Sequence, residues 1–351
     1  MKPLPDARGD TTSNTLASEP LAVPGAPAIT GLVFRPFRGE SDYAAMIRLA
    51  NERAAVNGDD WNLTVAELAA DFAPTARFDP TADALLAEVE GTLVGFWRGN
   101  WWEENDGPLI YGLQHFLHPD WRGQGLGHAA LQWLEQRMRA IAATHDPARP
   151  KILQGYASHG NRYQAGLLEA NGYQAVRHFH LMVRPALDDI PDFPLPEGLE
   201  VRPVRPEHWR ALWDADVEAF RDAWGMRDPD EAEYQSWLDN KIWFQPELWQ
   251  VAWDAATGAV AGQVRTYIDH GENERFGRLR GYTEFISVRR PYRRRGLARA
   301  LIARSLRAQR DAGMTASALH VDAESLTGAP RVYEDCGFRV QTTDTLYRKA
   351  L

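Results

Sequence analysis

The chain has 351 residues, of which 44% are hydrophobic and 25% are charged, and these proportions are typical of globular proteins with about two domains. Its formal net charge of −9 argues against nucleic acid or an anionic membrane as a general partner, and it weakly favours a cationic or amine-bearing substrate. The chain contains no run of about 18 apolar residues, so we expect no membrane-spanning helix.

The first segment, residues 1–29, is predicted to be a disordered tail. It is rich in Pro, Ser, Thr and Ala and has no apolar stretch like that of a signal peptide. The single cysteine, Cys336, excludes an intrachain disulfide, which is compatible with a reducing compartment. These features lead us to expect a cytoplasmic protein. Cys336 itself is interpreted as a small buried thiol, because no base is evident beside it.

An internal repeat organises the rest of the chain. Leu32–Arg38 recurs as Leu199–Arg205, and the same nearly constant offset relates Val94-Gly95 to Ala261-Gly262 and Gly172-Tyr173 to Gly337-Phe338. Chance similarity would not hold register over several elements, so the sequence predicts two copies of one domain, at residues 30–184 and 199–351. Residues 185–198, which contain four prolines, are predicted to be an extended linker.

Each copy shows the same order of predicted elements. A strand and helices are followed by a meander of strands, a strand-turn-helix, a further strand and helix, and closing strands. A hairpin is predicted around Glu90-Gly91, with strands at Leu85–Val89 and Leu93–Trp97. Trp249–Trp253 is predicted to be the first strand of the same hairpin in the second copy. Strands mixed with crossover helices predict a mixed α/β sheet in each copy.

The first copy has a glycine-rich turn between a predicted strand and a predicted helix. The strand contains Phe116, and the turn reads R-x-x-G-x-G, with Arg122, Gly123, Gln124, Gly125, Leu126 and Gly127. Small residues let the backbone approach a ligand closely, and unpaired amides at a helix N-terminus bind phosphate oxygens. The turn is therefore predicted to hold a pyrophosphate.

The second copy repeats this turn as R-x-x-G-x-A. It follows the predicted strand 281–288 and comprises Arg293, Arg294, Arg295, Gly296, Leu297 and Ala298. Six arginines lie between positions 289 and 299 of an acidic chain, which suggests a local anionic ligand: Arg289, Arg290, Arg293, Arg294, Arg295 and Arg299. Farther on, residues 319–324 predict a strand and residues 327–338 a helix closed by Gly337.

These segments resemble the GNAT superfamily of N-acyltransferases, whose patterns are Q/R-x-x-G-x-G/A and N-x-x-A-x-x-x-Y-x-x-x-G-F. Ala329, Tyr333, Gly337 and Phe338 match the second pattern, whereas Ser325 or Leu326 stands where the asparagine is usual. The resemblance covers nearly all of the chain after residue 30. It implies a GNAT fold in each copy, acetyl-CoA as the acetyl donor, and both turns as coenzyme sites. Because the histidines show no metal-ligand spacing, we expect no metal.

The resemblance also implies roles for residues of the second copy. An alkylammonium with a pKa near 10.4 must lose a proton before it attacks a thioester, and Glu284 is the implied base, with His320 and Asp322 as alternatives. Tyr333 is the implied acid that protonates the coenzyme A thiolate. Backbone amides would polarise the thioester carbonyl, and the candidates are Ile286, Ser287 and Val288.

Structural interpretations of the same residues remain open. Glu284 alternates with Ile286 and Val288 on the predicted strand, and it would also fit a half-exposed position paired with Arg280. Tyr333 would also fit an aromatic core position. In the first copy, Leu168 aligns with Tyr333 and Gly112 with Glu284, although Gln114 and His115 lie nearby, so this copy is expected to be catalytically silent.

The acceptor is less well defined. Many tryptophans fall in the first part of the second copy, and most are interpreted as packing residues, whereas Glu218, Asp222 and Trp224 are candidates for an acceptor pocket. His178 and His180 alternate on one predicted strand, which alone is poor evidence for a metal.

The sequence thus favours an N-acetyltransferase that transfers acetyl from acetyl-CoA to the primary amine of a small molecule or peptide. A non-catalytic acyl-CoA sensor is the alternative. Because the tandem arrangement also resembles the mycothiol synthases, acetylation of a cysteinyl amine is a minor hypothesis. We expect a monomer or homodimer.

Overall fold

A computed structural model describes residues 20–105 and 107–351. Within this part of the chain, one continuous sheet has helices on both faces. The strands are β1 Leu32–Arg35, β2 Ala84–Val89, β3 Thr92–Glu103, β4 Leu109–Leu117, β5 Lys151–Ala157, β6 Gln174–Arg184, β7 Leu199–Val201, β8 Gln250–Asp254, β9 Val260–Tyr267, β10 Arg280–Val288, β11 Ala316–Asp322 and β12 Arg339–Ala350. The helices are α1 Tyr43–Asn57, α2 Val65–Asp71, α3 Leu126–Ala142, α4 Arg162–Ala170, α5 Trp209–Phe220, α6 Glu231–Asp239, α7 His270–Phe276, α8 Leu297–Asp311 and α9 Ala329–Asp335.

The predicted repeat is a structural repeat. Residues 20–184, here called the first half, and residues 199–351, the second half, each carry strands and helices in the same order, except that α7 has no counterpart in the first half. Mixed parallel and antiparallel pairing confirms the predicted α/β sheet. None of the helices within the described ranges combines the length and apolar character needed to span a bilayer.

The two halves exchange their last strands. The strand order is β1-β2-β3-β4-β5-β12-β6-β11-β10-β9-β8-β7, so β12 of the second half pairs with β5 of the first, and β6 of the first pairs with β11 of the second. At the centre, β6 and β12 pair with each other in antiparallel fashion. The sheet therefore has no internal edge between the halves.

Side-chain periodicity explains why these segments cover the sheet. On β2, Leu85 packs towards α3 and α4, whereas the adjacent Leu86 packs towards α1 and α2, as expected from strand alternation. Helix α3 buries an apolar stripe at four-residue spacing, formed by Leu126, Ala130, Leu134 and Met138. Glu90 and Gly91 adopt positive φ angles of 50° and 78°, which suit the tight hairpin between β2 and β3.

The described part of the predicted tail is ordered against the first half. The amide of Leu21 donates a hydrogen bond to the Phe34 carbonyl at 2.7 Å, and Val23 is buried in the core with α3. The disorder prediction therefore does not hold for residues 20–29, because their apolar side chains find a surface to cover. Residues 1–19 lie outside the described residues.

Residues 185–198 have no helix or strand and pack on the second half. Leu187 is 2% exposed in that core, and the Arg184 guanidinium just before the linker donates to the Cys336 carbonyl at 2.7 Å. The linker is thus held along its length by the half that follows it.

Strand exchange predicts that the second half needs β6. We expect a fragment of residues 185–351, which keeps the linker, to lack a cooperative thermal transition, because it loses Leu181 and Met182, side chains whose burial contributes roughly 1.5–3 kcal/mol each. A fragment of residues 174–351 restores β6 and is expected to unfold cooperatively, as followed by far-ultraviolet circular dichroism. Identical behaviour of the two fragments would contradict this role of β6.

Candidate active site

Strand β10 contains a bulge that shapes the second half. Glu284 pairs with Arg265 of β9, but Ser287 pairs with Gln263, so Phe285 and Ile286 together face a single residue of the neighbouring strand. Phe285 has a φ of 49°, a conformation that costs a non-glycine residue on the order of 1–3 kcal/mol. The predicted alternation of Glu284 with Ile286 and Val288 is therefore interrupted at the bulge.

Buried charges hold this bulge. The Arg265 guanidinium lies 4.4 Å from the centroid of the Phe285 ring, and it forms an ion pair with Asp216 of α5. Arg265 and Asp216 are 3% and 8% exposed. Burial lowers the pKa of Arg265 and raises that of Asp216, so each depends on the other for its charge.

A cleft opens between β10 and β11. Strands β10 and β11 pair in parallel only from Arg280 to Tyr282, and then they diverge around a cavity of about 730 Å³. Most of the residues predicted for the site of the second copy line this cavity: Glu284, Ile286, Ser287, Val288, Arg293, Arg294, Gly296, Leu297, Ala298 and Tyr333. The alternatives His320 and Asp322 line it as well.

The predicted phosphate turn lies at one end of the cavity. Arg294 and Gly296 adopt positive φ angles of 59° and 85°, and α8 begins at Leu297 with no side chain capping its N-terminus. The first amides of α8 are therefore available to an anion. Arg294 is exposed at the cavity, and its side chain makes no hydrogen bond or ion pair within residues 20–105 and 107–351.

The other arginines of the cluster are engaged with the protein itself. Arg289 pairs with Glu218 at 2.7 Å, and Arg290 and Arg293 both pair with Asp222, whose pKa they hold well below its usual range. Glu218 and Asp222, predicted as acceptor residues, thus tie the turn to α5. Neither carboxylate is free to receive an acceptor.

Two further arginines also have partners outside the cavity. Arg299 forms an ion pair with Asp335, and Arg295 donates to the Glu197 carbonyl at 2.7 Å. The charge density of the sequence thus overstates the charge offered to a ligand, because most of it is neutralised within the fold.

Glu284 is bound to His320 on the next strand. Its Oε1 accepts hydrogen bonds of 2.8 Å from the His320 amide and from His320 Nδ1. The Glu284 side chain is 16% exposed and the imidazole 57%. Surrounding protein atoms disfavour the charged imidazole, but the hydrogen bond and the charge of Glu284 outweigh this and raise the pKa of His320. Arg280, the expected structural partner of Glu284, instead binds Asp60.

Tyr333 lies across the cavity on α9. It is 7% exposed and packs in the core of the second half, so the expected core role and a role at the cleft are both compatible with its position. Burial, with a contribution from the charge of Glu284, raises the pKa of the phenol above its usual value. The hydroxyl therefore stays protonated at neutral pH and is able to donate its proton.

Asp322, an alternative base, and Trp224, a predicted acceptor residue, also line the cavity. Arg177 of β6 donates two hydrogen bonds to Asp322 Oδ2, at 2.6 and 3.1 Å, so this carboxylate is already engaged in an ion pair. Trp224 lines the cavity, whereas Trp209, Trp237 and Trp249 stack together in a core cluster.

Comparisons with known proteins agree with this arrangement. A profile of the acetyltransferase (GNAT) family matches residues 46–146 and again residues 209–338. The chain belongs to the GNAT family. It is a tandem acetyltransferase, and the acetyltransferases of this family use acetyl-CoA.

Individual relatives share the two-domain length. The chain is 30% identical over 274 residues to a mycothiol acetyltransferase of Streptomyces bingchenggensis, covering 75% of this chain and 80% of the relative. A GCN5-related N-acetyltransferase from Sphaerobacter thermophilus superposes with a TM-score of 0.69 at 27% identity, covering 91% and 95% of the two chains. A tandem GNAT protein from the clavulanic acid pathway shares the fold, with a TM-score of 0.64, 16% identity and coverage of 91% and 98%.

The first GNAT domain lacks the bulge. Its β4 pairs with β3 without a register shift, and Arg98 faces Gln114 just as Arg265 faces Glu284. The position equivalent to Glu284 is therefore Gln114, two residues from the Gly112 that the sequence alignment suggests; the bulge, which adds one residue to the second copy, accounts for part of this difference. The side-chain amide of Gln114 cannot act as a general base. Leu168, opposite Tyr333 in the repeat, is fully buried.

The phosphate turn of the first GNAT domain is filled by the chain itself. The Tyr163 hydroxyl lies against Gly127, where a Cβ would come within 2.4 Å of it, and it meets the Gly123 amide. Arg122 donates to Asn57 at 2.9 Å, and Pro27 covers Gly125. The remaining cavity is about 10 Å³, room for roughly one water.

Other candidate residues of the first half are packing residues. Phe116 stacks on Phe96 with ring centroids 4.3 Å apart. His115 is buried, and burial lowers its pKa to about 4, so it is neutral at pH 7.

The remaining nucleophile and metal candidates are accounted for. Burial raises the pKa of Cys336 to about 12, which makes the thiol inert. His178 binds Glu324, and His180 binds Thr343. In the described part of the chain, no group of three or more His, Cys, Asp or Glu side chains is arranged to hold a metal ion.

Two neighbouring arginines give a matched test of the phosphate turn. We expect Arg294→Gln to weaken acetyl-CoA binding about fivefold, because it removes an exposed positive charge worth roughly 1 kcal/mol at the cavity. Arg295→Gln, whose side chain is directed to the Glu197 carbonyl, should change the dissociation constant less than twofold. Isothermal calorimetry at one fixed ionic strength distinguishes the two, and equal losses would contradict this placement of the coenzyme.

Proposed function

We propose that the chain is an N-acetyltransferase that transfers an acetyl group from acetyl-CoA to the primary amine of a small molecule or peptide, by direct attack in a ternary complex. The chemistry takes place in the second half. The observation that carries this proposal is the presence of the Glu284–His320 pair and Tyr333 on the walls of one cleft, beside the uncapped N-terminus of α8.

The second half has groups suited to each part of acetyl-CoA. The first amides of α8, together with Arg294, bind the pyrophosphate. The edge of β10 that faces β11 is unpaired after Tyr282, so backbone amides between Ile286 and Val288 are free to hold the thioester carbonyl. Such a contact stabilises the oxyanion of the tetrahedral intermediate.

Side chains on the two walls of the cleft carry out the proton transfers. Glu284 fixes the Nδ1–H of His320, which leaves Nε2 to take a proton from the incoming ammonium; direct uptake by Glu284 is the alternative. The amine nitrogen then bonds to the carbonyl carbon, and the C–S bond breaks. Tyr333 gives its proton to the departing thiolate and recovers one from the amine nitrogen, so the overall reaction releases one proton.

The first half is proposed to be catalytically silent and to leave its turn without coenzyme. Gln114 replaces the base, Leu168 replaces the acid, and Tyr163 occupies the turn. The coenzyme-binding role that the sequence suggests for Arg122 and the following residues is thus not supported by their geometry, and we expect one acetyl-CoA per chain.

A non-catalytic sensor would have an acceptor end filled by tryptophans. Of the tryptophans in the second half, Trp224 is the one that lines the 730 Å³ cavity, which leaves room for an acceptor. The similarity to mycothiol acetyltransferases supports including a cysteinyl amine among the candidate acceptors.

A thiol-release assay tests the function. We expect turnover of acetyl-CoA with at least one member of a panel of amino sugars, polyamines, peptides and S-methyl-L-cysteinamide, whose blocked sulfur does not react in the assay. Tyr333→Phe and Glu284→Gln should each lower kcat by about 100-fold, in line with loss of an acid or a base. Binding of acetyl-CoA without turnover of any acceptor would favour the non-catalytic sensor. Turnover that neither substitution lowers would show that Tyr333 and Glu284 are not the acid and the base.

The pH profile separates the two candidate bases. If His320 is the base, kcat/KM falls as the pH drops through its raised pKa, since the imidazole must be neutral to accept a proton. Glu284→Gln removes the group that raises this pKa, so the residual activity should keep an acid limb that is shifted to lower pH. His320→Gln should abolish that limb. An unshifted limb in Glu284→Gln would argue against the pair acting as one unit.

A further inference from the structure

The loop between α5 and α6, residues 221–230, forms one wall of the acceptor end. Its Trp224 lines the cavity, as do His320 and Glu284. At its start, Asp222 ties the loop to Arg290 and Arg293 of the phosphate turn. The loop therefore touches both the coenzyme end and the acceptor end of the cleft.

The far end of this loop is bound by the first half. The amide of Asn105, in the turn between β3 and β4, donates to the Met226 carbonyl at 2.9 Å. The Asn105 side chain donates to Asp228 Oδ1 and accepts from the Asp228 amide, both at 3.0 Å. One residue of the first half thus makes three hydrogen bonds to the α5–α6 loop.

Trp224 is also held from the side of the first half. Two guanidinium groups lie over its ring, that of Arg348 at 4.1 Å from the centroid and that of Arg177 at 5.1 Å. Arg348 pairs with the buried Glu104, next to Asn105, and Arg177 belongs to the exchanged strand β6. Cation–π contacts of this kind fix a ring in position when they are partly desolvated.

We infer that the first half positions the acceptor wall: Glu104 and Asn105 hold the α5–α6 loop so that Trp224 faces the acceptor. This inference rests on the proposed function. Asn105 and Glu104 are positioning residues, because they line no part of the cavity and act through Met226, Asp228 and Arg348. The silent half is thereby part of the enzyme, although no reaction takes place in it.

The chain contains a matched control for Asn105. Asn51 makes the same kind of side-chain contact with a loop backbone, donating to the Leu63 carbonyl at 3.2 Å and accepting from the Leu63 amide at 2.7 Å. That loop follows α1 in the first half, at the position equivalent to the α5–α6 loop of the second half. Asn51→Ala therefore removes a comparable contact that does not reach residues 221–230; its loop meets the second half elsewhere, where Asp60 pairs with Arg280.

Hydrogen exchange tests the inference without any acceptor. In the full chain saturated with acetyl-CoA, Asn105→Ala should speed amide exchange of residues 221–230 about fivefold or more, because the loop loses side-chain hydrogen bonds. Asn51→Ala should leave that segment unchanged. Unchanged exchange of the loop in Asn105→Ala would overturn the inference, whether or not the chain proves to be an acetyltransferase.

Steady-state kinetics test whether Asn105 affects the use of the acceptor. With S-methyl-L-cysteinamide and D-glucosamine as probes, Asn105→Ala should raise the acceptor KM about fivefold or more and leave the KM for acetyl-CoA within twofold. Asn51→Ala should change neither. A fall in kcat with unchanged acceptor KM would contradict a positioning role. If the unmodified chain turns over neither probe, the proposed function fails on these amines while the exchange result still decides the position of the loop.

Discussion

The contact between the Arg265 guanidinium and the Phe285 ring, backed by the buried Asp216 carboxylate, holds β10 in its bulged form. The contact lies at the residue of the bulge that has a positive φ, whereas β4 of the first half pairs with β3 in regular register. Strands β10 and β11 part after Tyr282, as β4 and β5 part after Gly112, and Glu284 meets His320 two residues farther on. The bulge at Phe285 and Ile286 follows, in the stretch of β10 whose edge faces the cleft. One difference in strand register thus accompanies an open cleft in one half and a filled one in the other.

Local sequence patterns explain which parts of the fold and of the candidate site could be predicted. The glycine spacing at Gly296, the apolar stripes of the helices and the repeat itself are encoded within short stretches, so the α/β fold and tandem organisation followed from the sequence. Glu284 and Tyr333 were found because each sits at a fixed offset from such a pattern. The structure brings both to one cleft, while their roles in proton transfer stay predictions.

Contacts between segments far apart in the chain explain which features of the structure could not be predicted from the sequence. Asp222 neutralises arginines that lie far along the chain, and nothing in the local sequence marks that pairing. Gln114 was missed as the counterpart of Glu284 because the offset between the two copies changes at the bulge, and Tyr163 gives no sign in the sequence that it occupies the first turn. Order in residues 20–29 likewise depends on a surface that only the folded first half provides.

The exchanged strands also constrain how the protein is made. Strand β12, residues 339–350, follows all the other described elements in the chain, yet it lies in the middle of the sheet between β5 and β6. While the chain is still on the ribosome, β5 and β6 have no partner on the sides that β12 will fill. Domains that close their own sheets can fold one after the other during translation. Here β5 and β6 keep two open strand edges until residues 339–350 have been made, and open edges of this kind pair readily with other chains.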